Sequence, residues 1–137
     1  MKNKYLSKTD QFSFILKPSK IEGVGVYATH PIKKGTKLRV FPEGKSKLVS
    51  NKSKWFKSPL KQLFLERYPV EVEGGMYCPP DFGRMAIGWY LNHSKKPNAV
   101  HDEKYNYYAK RNIEKDEEIL INYENLSAVE KNSEAWK

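Results

Sequence analysis

WYLNHSKKPNAV, residues 89–100, runs three bulky apolar residues straight into an amide, an imidazole and a hydroxyl, and a Pro-Asn pair follows at 97 and 98. A polar triplet emerging from an apolar run implies side chains aimed out of buried structure at a partner. A Ser-His catalytic pair is disfavoured, because neighbouring side chains on extended backbone point to opposite faces, so His93 is badly placed to act as base for Ser94. A metal site built from His93, Cys78 and Asp81 has no spaced ligand pair, and the three histidines stand apart at 30, 93 and 101. No metal is expected. What remains is an Asn and a His that hydrogen-bond either the fold or a polar ligand.

Working outward, short apolar runs bounded by Pro, Gly, Asn or Asp recur at 12–16, 24–28, 37–41, 105–109 and 118–123. Each is rich in Val, Ile, Tyr and Phe, which predicts strands. Helix signals are confined to two places. In 58–68, Leu60, Leu63 and Phe64 fall at i, i+3, i+4, Pro59 suits a first turn and Pro69 stops it. The tail at 127–136 has a capping-box serine and a weak apolar stripe. The stretch 71–88, with four glycines and two prolines, reads as a long loop. The pattern predicts a mainly β fold of small sheets with one or two short helices. At 137 residues one domain over 1–137 is expected, without an internal repeat or linker.

Ile21-Glu22-Gly23-Val24-Gly25-Val26-Tyr27 places a Gly-x-Gly at a strand start. It is neither a dinucleotide fingerprint nor a phosphate loop, since no third glycine, helix or Gly-Lys-Ser/Thr follows. A glycine bulge and a ligand contact both fit it. Near the other end, Asp116-Glu117-Glu118-Ile119-Leu120-Ile121-Asn122-Tyr123 is a charged turn, a strand and a closing tyrosine.

In this order and spacing the elements resemble the SET domain family of protein lysine methyltransferases. Its Gly-x-Gly motif matches residues 23–27, its Ile-x-x-Gly turn matches Ile32-Lys33-Lys34-Gly35, and its Asn-His-Ser and Pro-Asn signature matches Asn92-His93-Ser94 and Pro97-Asn98. Its Gly-Glu-Glu-Ile and final Tyr match residues 116–119 and Tyr123. The match spans about 15–126 and is similar to compact viral and bacterial members. The resemblance implies a fold with a C-terminal pseudoknot-like crossing and S-adenosylmethionine as cofactor. It implies Glu22, Gly23, Val24, Gly25, Tyr90, Asn92 and His93 as cofactor-binding residues and Tyr123 as the catalytic tyrosine. Phe41, Tyr105, Tyr107 and Tyr108 are implied as lining the substrate channel, with 127–137 as a tail or lid. Two departures stand out: Phe41 occupies the place of a usual tyrosine, and Trp89-Tyr90-Leu91 replaces a usual Arg-Phe.

The implied substrate is a protein presenting a lysine, a histone or another. The alternative is a catalytically degenerate SET-like module that binds a protein or nucleic-acid partner. A net charge of +9 attracts nucleic acid and acidic surfaces, although no nucleic-acid-binding signature organises the lysines. No apolar run long enough for a membrane span and no signal-peptide core are seen, and the single cysteine favours a reducing compartment. An intracellular protein of the cytoplasm, nucleus or nucleoid is expected. Oligomeric state is not readable.

Overall fold

A computed structural model describes residues 4–42, 47–65, 70–72 and 74–125. The predicted tail helix at 127–136 lies outside the described residues. So does the far end of the helix predicted at 58–68.

The sheet that organises the motifs sets its strands in the order Phe14–Pro18, Val24–Ala28, Glu118–Ile121 and Asn92–His93. β1 (Phe14–Pro18) pairs antiparallel with β2 (Val24–Ala28) from Phe14↔Ala28 to Pro18↔Val24. The turn between them closes with Ser19 N–H on Gly23 C=O at 2.8 Å, and Gly23 supplies the left-handed φ of 49°. β10 (Glu118–Ile121) lies antiparallel against the other edge of β2, and β7 (Asn92–His93) runs parallel to β10. The late strand is thereby wedged between two segments made much earlier.

Strand alternation sets what faces inward. On β2, Val26 and Ala28 are fully buried; on β10, Ile119 and Ile121 are buried while Glu118 and Leu120 share the other face. These residues join Ile32, Leu38, Val40, Leu91, Ala99, Tyr107, Ala109 and Ile113 in the main core. Each fully buried isoleucine there contributes about 1.5–3 kcal/mol through apolar burial.

Two turns lie back to back, although the sequence reading found no repeat. Ile32 and Ile113 exchange both backbone hydrogen bonds at 2.8 Å. Each opens a matched turn that ends three residues later in a left-handed residue, Gly35 (φ 88°) and Asp116 (φ 67°).

β3 (Lys37–Leu38), β9 (Tyr107–Ala109) and β8 (Ala99–His101) form a second sheet. The third joins β4 (Lys47–Ser50), β6 (Gly75–Cys78) and β5 (Val70–Val72), so the region 71–88 predicted as loop contains strands. Gly74 (φ 86°) makes the β5–β6 turn, and Gly75 passes so close to the Val49 carbonyl that no side chain fits. The helix α1 (Pro59–Leu65) starts at the predicted proline. Its predicted stripe is not a core face: Leu60, Leu63 and Phe64 are exposed, and Leu65 is the buried residue.

A 3₁₀ helix, Ile87–Tyr90, delivers Leu91 to the site. It is held to Val40 by Gly88 N–H at 2.8 Å. A Cβ on Gly88 would overlap the Phe41 ring, lying 2.8 Å from Cδ2. Gly88→Ala is therefore expected to cost about 1–3 kcal/mol by overpacking. Urea unfolding checks this, and the cost should shrink in a Phe41→Leu background.

Candidate active site

Glu118 is the hub of the site. Its carboxylate accepts from Ser19 Oγ at 2.9 Å, from Asn92 Nδ2 at 3.0 Å and from Tyr27 Oη at 3.4 Å. Asn92 Nδ2 also donates to the carbonyls of Glu22 and Val24, both at 3.1 Å. Three acceptors around one NH₂ fix the orientation of the amide and staple the turn at 22–24 to β7. Gly25 is buried beneath this network, and a Cβ there would run into the Glu118 carboxylate.

Asn98 performs the matching task one turn on. Fully buried, it donates from Nδ2 to Glu118 C=O at 2.7 Å and accepts at Oδ1 from Leu120 N–H at 2.8 Å. Ser94 N–H donates to Ile121 C=O at 2.9 Å. Buried polar groups must be paired, and the paired partner here is β10. The polar triplet and Pro-Asn pair thus project from an apolar run in order to grip a strand.

Tyr123 stands just past the end of β10. Its N–H donates to His93 Nδ1 at 3.0 Å, the two rings lie 5.1 Å apart, and its hydroxyl donates to Leu91 C=O at 2.5 Å. Because a backbone N–H can only donate, His93 Nδ1 is unprotonated and the ring proton sits on Nε2. Burial pushes the Tyr123 phenol up from the ordinary tyrosine range, and the carboxylates of Glu22 and Glu118 push it further. Tyr123 remains 45% exposed, and its phenol is a neutral donor. Glu22, Val24, Gly25, Asn92, His93 and Tyr123 are thus brought together, with Gly23 at the turn. Tyr90 sits one residue before Leu91 and packs on the core.

The channel residues divide. Phe41, Tyr105 and Tyr107 border one cavity of about 460 Å³. Phe41 lies 5.5 Å from Tyr107 and 5.5 Å from Trp89, ring centre to ring centre. Tyr105 is not in the strand predicted for 105–109: it has a left-handed φ of 60° in the turn before β9. Tyr108 does not line this cavity; on β9 it faces away from Tyr107 and pairs with Lys37. Sequence reasoning missed Glu118, whose signal was the period-2 face of β10, and Ser19, in the turn between β1 and β2, which carried none. It also missed His101, which stacks on Tyr105 at 4.6 Å. His101 Nδ1 faces the Asp102 carbonyl at 2.8 Å, so Nε2 is a buried acceptor without a donor among the described residues.

Burial also holds the Tyr107 phenol far above its ordinary range, with Tyr105 and Tyr123 as further causes. Groups whose folded pKa is raised stabilise fully below the unfolded value near ~10, and that contribution is lost as pH rises beyond it. The urea midpoint should therefore fall between about pH 9 and about pH 11, and fall less in Tyr107→Phe.

The family model of the SET domain matches residues 23–124, and the chain belongs to the SET domain family. A Plasmodium falciparum protein described as a candidate histone methyltransferase is similar at 25% identity. That alignment covers 83% of this chain and 95% of the other, with a TM-score of 0.52. Chaetomium thermophilum Polycomb Repressive Complex 2 in an autoinhibited conformation bound to S-adenosylmethionine shares the fold at 17% identity and a TM-score of 0.56. There 88% of this chain covers 17% of the other. The apo autoinhibited form of that complex gives 18% identity and a TM-score of 0.58 over 88% of this chain and 17% of the other. No curated protein sequence matches the chain. Among the described residues no group of His, Cys, Asp and Glu is placed to hold a metal ion, and no helix is long and apolar enough to cross a membrane.

Proposed function

We propose that the chain is an S-adenosylmethionine-dependent protein lysine N-methyltransferase. The observation that carries this reading is the convergence of the Tyr123 phenol, the Leu91 carbonyl, His93 and the Asn92-stapled turn at 22–24. The surroundings of the phenol suit a cation: the Leu91 carbonyl and the carboxylates of Glu22 and Glu118 are all electronegative. The position of β10 between β2 and β7 supports a pseudoknot-like crossing of the chain.

When bound, the cofactor supplies a methyl group on a sulfonium, and the nitrogen that receives it must be uncharged. A lysine has a pKa near ~10.4 in water. Desolvation in the channel beside Phe41 and Tyr107, and the like charge of the sulfonium when bound, would disfavour the ammonium form, so the amine would give its proton to water before it is aligned. Tyr123 is held protonated and is therefore no general base. Its hydroxyl orients the Leu91 carbonyl, and its phenolic oxygen carries partial negative charge to the same place. Asn92 acts through the turn: it sets the backbone of 22–24 rather than reaching outward, so it is a positioning residue.

Titration of S-adenosylmethionine into the pure protein should give saturable heat, and its absence at millimolar cofactor sinks this reading. That outcome would favour the degenerate binding module, for which Phe41 in place of a tyrosine is the supporting observation. Asn92→Ala should weaken cofactor binding about ten-fold, since it frees the turn from two hydrogen bonds.

A further inference from the structure

We infer that the lysine substrate is carried on an acidic protein segment, received in the cavity beside Phe41 and Tyr107; this rests on the methyltransferase reading. The inner wall of the cavity is apolar, formed by Leu38, Val40, Phe41 and Tyr107. Phe41 packs on Trp89 at 5.5 Å and Val40 C=O accepts from Gly88 N–H, two and three residues before Leu91, whose carbonyl holds the Tyr123 hydroxyl, so this wall adjoins the proposed centre. The rim is different. Lys8, Lys37 and Arg39 line it, all exposed, and among the described residues none that lines it is Asp or Glu.

The three cations are not used by the fold. Among the described residues the ion pairs are Lys4–Glu114, Lys17–Asp116 and Arg111–Glu117, which leave the rim unpaired. Nearby carboxylates are consumed by their own turns. Asp102 accepts from Lys104 N–H and Asn106 N–H, both at 2.9 Å, and Asp10 accepts from Phe12 N–H at 2.8 Å. Thr9 locks the rim in place, donating to Lys37 C=O at 2.6 Å and accepting from Arg39 N–H at 3.1 Å.

A cationic rim repels a target lysine that arrives on a basic tail, because like charges brought together across an interface disfavour the complex. Aspartates and glutamates flanking the lysine reverse the sign and leave its aliphatic stem to the aromatic wall. A nucleic acid would meet the same cations, but it has no use for an apolar wall leading to a phenol.

The test uses fluorescent peptides with one central lysine flanked by Glu, by Gln or by Arg, with binding to the whole chain read by anisotropy. The Glu peptide should bind about ten-fold more tightly than the Gln peptide, as three exposed ion pairs predict, and the Arg peptide most weakly. In the Lys8→Glu, Lys37→Glu, Arg39→Glu variant the order should invert while calorimetric S-adenosylmethionine binding is unchanged. Equal binding of the Glu and Gln peptides by the wild-type chain, or preference for the Arg peptide, overturns the inference without needing any variant. Duplex DNA that outcompetes the Glu peptide and is lost in the triple variant also overturns it, in favour of a nucleic-acid site. A Glu preference without cofactor heat instead removes the methyltransferase reading and leaves a cavity for acidic segments.

Discussion

Tyr123→Phe is expected to lower methyl transfer by about 10²–10³-fold while leaving S-adenosylmethionine binding within about two-fold of the unmodified chain. The substitution removes one oxygen. The ring stays beside His93, and the bond from the residue 123 N–H to His93 Nδ1 is a backbone contact that survives. What is lost is the 2.5 Å bond to the Leu91 carbonyl and the neutral phenol held protonated by burial and by Glu22 and Glu118. Stability should drop by only about 1 kcal/mol, the ordinary value of one hydrogen bond. Single-turnover kinetics with labelled cofactor separates the two effects. Unchanged turnover would take Tyr123 out of the chemistry.

Gly25→Ala should reduce stability by about 2–4 kcal/mol and abolish the cofactor site together. The added methyl would collide with the Glu118 carboxylate, lying 2.8 Å from its Cδ and 3.1 Å from Ser19 Cβ. The carboxylate is the flexible partner and would move. Its displacement leaves Ser19 Oγ short of its carboxylate acceptor and takes the charged one of three acceptors from Asn92 Nδ2, which loosens the staple on the turn at 22–24. Because the damage runs through one side chain, the two sites should be non-additive. In a Glu118→Ala background the cost of Gly25→Ala should fall to about 1 kcal/mol or less. Urea unfolding of the four-member cycle decides it, and simple additivity would show that the methyl acts elsewhere.

Much of this was legible in the residues because local chemistry and global fold agree there. Residues 24–28 form a strand with the predicted bounds, since Val26 and Ala28 are buried on one face and Gly25 admits close approach. The strand predicted for 118–123 ends at Ile121, and residues 123–125 turn helically; that turn brings the phenol back to Leu91. The failures have a common origin. Gly74 and Gly75 read as loop, yet one is a hairpin turn and the other a strand residue pressed against Val49. Spacing alone cannot tell those uses apart. The stripe of Leu60, Leu63 and Phe64 had helical periodicity, but periodicity does not say whether anything covers the face, and here it is exposed. Glu118 escaped notice because a charged residue on a strand normally faces solvent, whereas this one turns towards three donors from distant parts of the chain.

On the ribosome, residues 22–25 and then 92–93 emerge well before residue 118 has been translated. Until it is, Ser19 and Asn92 lack the carboxylate that joins them, and the outer edge of β2 has no neighbour. Pairing across such long sequence separations is slow and comes late in folding. A nascent chain therefore displays an unpaired strand edge and no finished site until the strand at 118–121 slides into the gap, so one late pairing event completes both the sheet and the site.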